Sequence, residues 1–239
     1  TVFSFYTMLS RVLGYFRDIL IAIFLGTSIY ADAFFVAFRL PNTFRRLFAE
    51  GTFNAAFIPS YTSEKLKSKA HGKRFADEVL TLLILGLLSI VFIVEIFTPY
   101  VVFLIAPGFI EDNIKYNLAI DLTRITFPFL AFVSLSSFFA GILNTENKFA
   151  AAAAAPIILN LILILSLVIS YYLKLDYAIN LSYGVSLSGL IQLMFLIFFA
   201  SKYYQPSLVF KNKIRQKVKL FLKKLLPSIF SSGVTQISI

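Results

Sequence analysis

Six arginines stand inside otherwise apolar stretches of this 239-residue sequence: Arg11, Arg17, Arg39, Arg45, Arg46 and Arg124. Each would cost about 2.5–3.5 kcal/mol at the centre of a bilayer if it faced lipid. They must line a wet cavity, pair with acids or reach an interface. Arg11, near the start of its segment, can snorkel, whereas Arg17 lies more than two turns from either end. Guanidinium grips phosphate with two prongs and does not lose its charge. The first two apolar segments hold five of these arginines against three acids, Asp18, Asp32 and Glu50. Spacing allows Arg46 to pair with Glu50 at i, i+4 and Arg124 with Asp121 at i, i+3, and sets Arg11 and Asp18 on one face. Structural ion pairs holding bent helices would account for those contacts. They would leave two cations over, and a net-positive cavity suits an anionic substrate such as a pyrophosphate headgroup.

Other chemistries lack their residues. The chain has no cysteine and a single histidine, His71. That excludes disulfides and thiolate chemistry, and no His/carboxylate cluster has metal spacing. Neither a G-x-x-x-x-G-K-[ST] phosphate loop nor G-x-G-x-x-G is present. A proton relay would need buried acids, and Glu95 stands alone in its segment. We expect no enzyme, no metal and no cofactor. Without an ATP site, transport would run on an ion gradient or the membrane potential.

The elements that must position these side chains are membrane helices. The sequence is 59% hydrophobic and 14% charged, against roughly 45–50% and 25% in soluble domains. Seven apolar segments follow one another: 3–26, 31–61, 79–105, 116–143, 150–172, 177–200 and one starting near 220. They are long and lack the period-2 alternation of a transmembrane barrel. The fold class is all-α, a polytopic helical bundle. Segment 31–61 is interrupted by Pro41, Gly51 and Pro59, so it reads as a bent span or as two short interfacial helices. Alternate loops carry fourteen basic residues on one side, mostly in 62–78 and 201–224, and two on the other, Lys115 and Lys174. The positive-inside rule makes the first side, with the N-terminus, cytoplasmic. The net charge of +10 is thus explained without nucleic acid. Within 211–225, Ile214, Val218, Phe221 and Leu225 recur at helical spacing between lysines, as in a basic amphipathic surface helix or a plain basic loop. The chain starts at Thr1 and stops inside an apolar segment, which reads as part of a longer protein.

The charged hairpin TMLSRVLGYFRDILIAIFLG (7–26) and ADAFFVAFRLPNTFRRLFAEGTFNAAFIPSY (31–61) resembles the MurJ (MviN) lipid II flippases, in the multidrug/oligosaccharidyl-lipid/polysaccharide exporter superfamily. RITFPF (124–129), GILNTENKFA (141–150) and LPSIFSSGVTQISI (226–239) extend the resemblance to the end of the chain. It implies two six-helix lobes around a cationic cavity, working by alternating access. Residues 1–200 would be the N-lobe, 201–219 a basic amphipathic cytoplasmic linker, and 220–239 the start of a seventh helix. The partners implied are lipid II, membrane lipids and a C-terminal lobe of the same protein. Arg17, Arg45 and Arg46 match cavity-lining positions, and Arg11 a functionally important one; Arg39, before Pro41, is a further binding candidate. Asp32 and Glu50, with Asp18, match gating and polar-network positions. Lys148 stands where many members have Arg. The alternatives are a related exporter of drugs or polysaccharide-linked lipids, and a membrane scaffold that binds anionic lipid without moving it.

Overall fold

The computed structural model describes residues 2–49, 52–210, 215–223 and 225, and the side chains of all of these except 2, 3, 40, 44–49 and 52. In chain order the helices are α1 (Val2–Leu25), α2 (Ile29–Ala49), α3 (Thr52–Lys67), α4 (Lys69–Ile96), α5 (Thr98–Ile105), a 3-10 turn (Pro107–Glu111), α6 (Asn113–Thr126), α7 (Phe129–Thr145), α8 (Phe149–Leu173) and α9 (Tyr177–Ala200). A further helical stretch covers 216–223. Among the described residues four spans, Lys69–Ile96, Asn113–Thr145, Phe149–Leu173 and Tyr177–Ala200, are long and apolar enough to cross a membrane. The outer faces of α4, α8 and α9 expose Leu88, Phe92, Ile93, Leu165, Ile169, Leu187, Met194 and Phe198, as a lipid-facing belt requires.

Local chemistry sets the boundaries. Gly26 ends α1 at φ +58°, a conformation cheap only for glycine. Ser28 then accepts the Ala31 N–H at 3.2 Å and starts α2. Asp112 and Asp176 cap α6 and α9 through the N–H groups of Ile114, Lys115 and Ile179. Pro128 separates α6 from α7, and Pro99 sits at the start of α5, so segments 116–143 and 79–105 each form two helices instead of one.

Two expectations change. Segment 62–78 reads as a loop but is helical except for Ser68, which caps α4 by accepting from His71 N at 3.1 Å. Apolar periodicity cannot see this helix, because its buried face carries carboxylates. Asp77 and Glu78 are buried. Asp77 accepts from Lys73 Nζ (2.8 Å), Tyr204 Oη (2.6 Å) and Ser207 N (3.0 Å). Glu78 pairs with Arg215 at 3.1 Å. Burial first, and then the bond to Asp77, hold the Tyr204 hydroxyl well above the usual phenol range. The second change concerns the apolar stripe after residue 214. Val218, Phe221 and Leu225 are buried against Phe53, Phe57 and Phe75, so α3 and α4 cover it rather than a membrane surface. Ile214 lies outside the described residues.

Among the described residues two apolar cores hold the bundle. One gathers Phe53, Phe57, Phe75, Phe138 and Phe221 at the basic end. The other gathers Phe34, Leu122, Phe129, Leu163 and Val185 toward the opposite end. Loops grouped together by charge are tied together in space. Lys115 pairs with Asp32 at one end, while Lys65 with Glu146 and Lys73 with Ser207 join elements at the other.

Candidate functional site

A cleft of about 720 Å³ opens between α1, α3, α7, α8 and α9. Thr7, Ser10 and Arg11 enter it from α1, Asn54 from α3, Ser136, Ser137 and Asn144 from α7, and Gln192 from α9. Small residues at the start of α8 (Ala152, Ala153, Ala155), with Pro156, keep that wall low. The alanine run 150–155 thus shapes a concavity. Opposite, α3 and α7 meet closely at Gly141, where an added Cβ would lie 2.6 Å from Asn54 Oδ1. A larger residue there would have to push Asn54 and the Phe57 ring, 2.8 Å away, aside.

The lining mixes apolar and polar side chains, and several of the polar groups are under-used. Asn54 Oδ1, Ser136 Oγ and Asn144 Oδ1 are buried with no hydrogen-bond partner among the described residues. A buried acceptor left unmade costs about 1–3 kcal/mol. These acceptors suit a ligand rich in O–H and N–H donors. Arg11 is the cation among the described lining residues.

Arg17, six residues on, is engaged. Its Nε and Nη2 donate to Asp18 Oδ1 at 2.9 and 2.7 Å, and its Nη1 donates to Asn160 Oδ1 on α8 at 2.9 Å. The Asp18 side chain is 65% exposed and that of Arg17 17%. Asn160 in turn donates to the Ser10 carbonyl at 2.9 Å. Asp18 thus serves Arg17, not Arg11. Arg39 is exposed on α2, with its carbonyl accepting from Thr43 Oγ1 at 2.9 Å, and it does not line this cleft. Arg124 is exposed and makes no ion pair with Asp121 among the described residues. The side chains of Arg45 and Arg46, and all of Glu50, lie outside the described residues, as does the Arg46–Glu50 pair. Asp32, in the first turn of α2, pairs with Lys115 of α6.

Pro41 does not break α2. Its missing N–H leaves the Ala37 carbonyl without its helical donor. Thr126 Oγ1 on α6, fully buried, donates to that carbonyl at 2.8 Å.

Asn54, Asn144, Gln192 and Asn160 were not singled out from sequence. The available signal was an amide inside a long apolar run, as at Asn160 in 150–172 and Gln192 in 177–200.

A family model described as lipid II flippase MurJ matches residues 21–239. A probable lipid II flippase MurJ of Rickettsia prowazekii is 37% identical, over all of this chain and 47% of its own length. One of Rhizobium meliloti is 40% identical, over 98% of this chain and 44% of its own. The lipid II flippase MurJ of Burkholderia cenocepacia is 38% identical, over 99% and 47%. A solved lipid II flippase MurJ in an inward closed conformation superposes with a TM-score of 0.83 at 30% identity, covering 98% of this chain and 48% of that one. An outward-facing multidrug transporter of the MATE family reaches 0.70 at 17% identity, over 99% and 52%, which speaks to fold alone. The chain spans about half the length of the curated relatives it matches.

Proposed function

The chain belongs to the lipid II flippase MurJ family, and from that premise we propose that it forms the amino-terminal lobe of a flippase carrying lipid II from the cytoplasmic to the periplasmic leaflet. The proposed lobe has six spans, with α2–α3, α4–α5 and α6–α7 each counted as one. Its N-terminus is cytoplasmic, on the ground of the loop charges. A carboxy-terminal lobe completes the cavity, and the two lobes alternate access about it as a secondary-type transporter driven by an ion gradient or the membrane potential.

The single observation that carries this reading is the cleft between α1, α3, α7, α8 and α9. It joins one open arginine to buried amide and hydroxyl acceptors without partners. An undecaprenyl-pyrophosphate-linked sugar presents both matching chemistries: phosphate for guanidinium, and hydroxyl and amide N–H groups for the neutral acceptors. Arg11 takes the pyrophosphate first. Arg17 joins when it exchanges Asn160 for phosphate, and Arg45 and Arg46 extend the cationic surface. Arg39 is assigned a weaker, peripheral contact. Glu50, Asp18 and Asp32 supply gating and polar-network contacts.

The test is lipid II affinity and membrane level, measured side by side for Arg→Ala and Arg→Lys variants at 11, 17, 45 and 46 in a whole flippase carrying this segment. Losing one charge-assisted hydrogen bond is expected to weaken binding roughly 10- to 150-fold. Lys should rescue only partly, because it lacks the fork. Normal affinity in every Ala variant would remove the pyrophosphate clamp. Binding without transbilayer movement by the unmutated protein would indicate a scaffold.

A further inference from the structure

At the basic end of the bundle a second pocket, of about 300 Å³, lies apart from the central cleft. Lys65 reaches it from the last turn of α3, Lys69 and Lys73 from the first turns of α4, and Lys202 from just after α9. Tyr204, buried, forms part of the wall, and Glu146 is the acid among the described lining residues.

The four lysines fall into two classes. Lys65 is paired with Glu146. Lys73 is spent on Asp77 Oδ2 at 2.8 Å and Ser207 Oγ at 2.9 Å. Lys69 and Lys202 make no hydrogen bond or ion pair among the described residues. The Tyr204 hydroxyl is committed to Asp77 at 2.6 Å. The pocket therefore pairs off its inner charges and keeps two unmatched ammonium groups. The first turn of α4, a 28-residue helix, adds the positive end of its dipole.

Positive-inside charge needs only to be on the right side of the membrane. It does not need to converge from chain positions more than a hundred residues apart onto one concavity. Like charges brought together repel, so the convergence is unfavourable until an anion offsets it.

We propose that this pocket binds a phosphate oxyanion between Lys69 and Lys202, at a site separate from the central cleft. An anionic phospholipid headgroup in the adjoining leaflet and a soluble phosphate share that chemistry. The site does not depend on the flippase reading.

The experiment follows the thermal-unfolding midpoint of the purified protein against two probes. One is inorganic phosphate in detergent. The other is phosphatidylglycerol in nanodiscs, with phosphatidylcholine as reference. A response to phosphatidylglycerol alone identifies a lipid headgroup, and to inorganic phosphate alone a soluble anion; either supports the site. Lys69 and Lys202 are exposed, so the Lys69→Gln/Lys202→Gln protein should fold normally. Each surface lysine is worth about fivefold toward an anionic surface, so the double variant should bind the responding probe roughly 30-fold more weakly. Glu146→Gln should act oppositely, tightening binding about fivefold by releasing Lys65. No response to either probe, or unchanged affinity in the double variant, would overturn the proposal. So would loss of the response in Arg11→Gln, which would put the anion in the central cleft.

Discussion

Asn160 of α8 holds α1 at two points about two turns apart. Its Oδ1 accepts from Arg17 Nη1 at 2.9 Å, and its Nδ2 donates to the Ser10 carbonyl at 2.9 Å. One buried amide thus satisfies a guanidinium and a helix carbonyl together. It also sets the register of α1 against α8, beside the Ser10 and Arg11 that line the cleft.

This clasp predicts energetic coupling between Arg17 and Asn160. Arg17→Met and Asn160→Ala should each lower stability. The two together should cost less than the sum of the singles by about 1 kcal/mol or more, since a bond to a charged group is worth about 1.5–3. Thermal or denaturant unfolding in detergent gives the cycle. Additivity within about 0.5 kcal/mol would mean that Asn160 only fills space. Asn160→Asp keeps the acceptor but turns the donor facing the Ser10 carbonyl into a second acceptor. It should therefore recover only part of the loss.

A second cycle concerns Thr126 and Pro41. Thr126→Val keeps the shape and removes the hydroxyl, leaving the Ala37 carbonyl without a donor. Hydrogen bonds between membrane helices average about 0.6 kcal/mol and reach about 1.7; full burial puts this one toward the upper value. Pro41→Ala returns a backbone N–H to the same carbonyl. Thr126→Val should then cost much less in the Pro41→Ala background. An equal cost in both backgrounds would show that the hydroxyl does not serve the proline.

What could be read from sequence follows from which forces leave a linear trace. Apolar runs locate the helices of 150–172 and 177–200 to within a residue or two, because lipid exposure demands continuous hydrophobicity. The buried carboxylates Asp77 and Glu78 hid the start of α4, since their partners Tyr204, Ser207 and Arg215 lie more than 120 residues away. The arginines are visible as costly exceptions in apolar segments. Their partners are not: helical periodicity matches Asp18 with Arg11, whereas the guanidinium next to it in the chain makes both bonds. The cleft amides Asn54, Asn144 and Gln192 leave only single polar letters. Nothing in one sequence says which faces of α3, α7 and α9 converge.

At the far end of the bundle, Asp32 in the first turn of α2 pairs with Lys115 in the first turn of α6. Lys115 also lies 4.4 Å from the Phe109 ring centre, so the pair pins α2 to the 3-10 turn as well. The Asp32 side chain is 56% exposed, and exposed pairs contribute about 0–1 kcal/mol. Breaking it should leave folding nearly intact, so any loss of transport would report on movement. An acid there repels an anionic headgroup yet can latch two helix ends when that side is shut. In a whole flippase, Asp32→Asn should reduce lipid II transport while leaving lipid II affinity within a few-fold. The exchange Asp32→Lys/Lys115→Asp keeps the attraction and reverses its sense. It should restore transport in part, because Asp at position 115 cannot make the cation contact with the Phe109 ring. Measuring transport, affinity and membrane level for the single and exchanged proteins separates the outcomes. A large fall in affinity for Asp32→Asn, or no recovery in the exchanged protein, would reassign Asp32 from the latch to the substrate path.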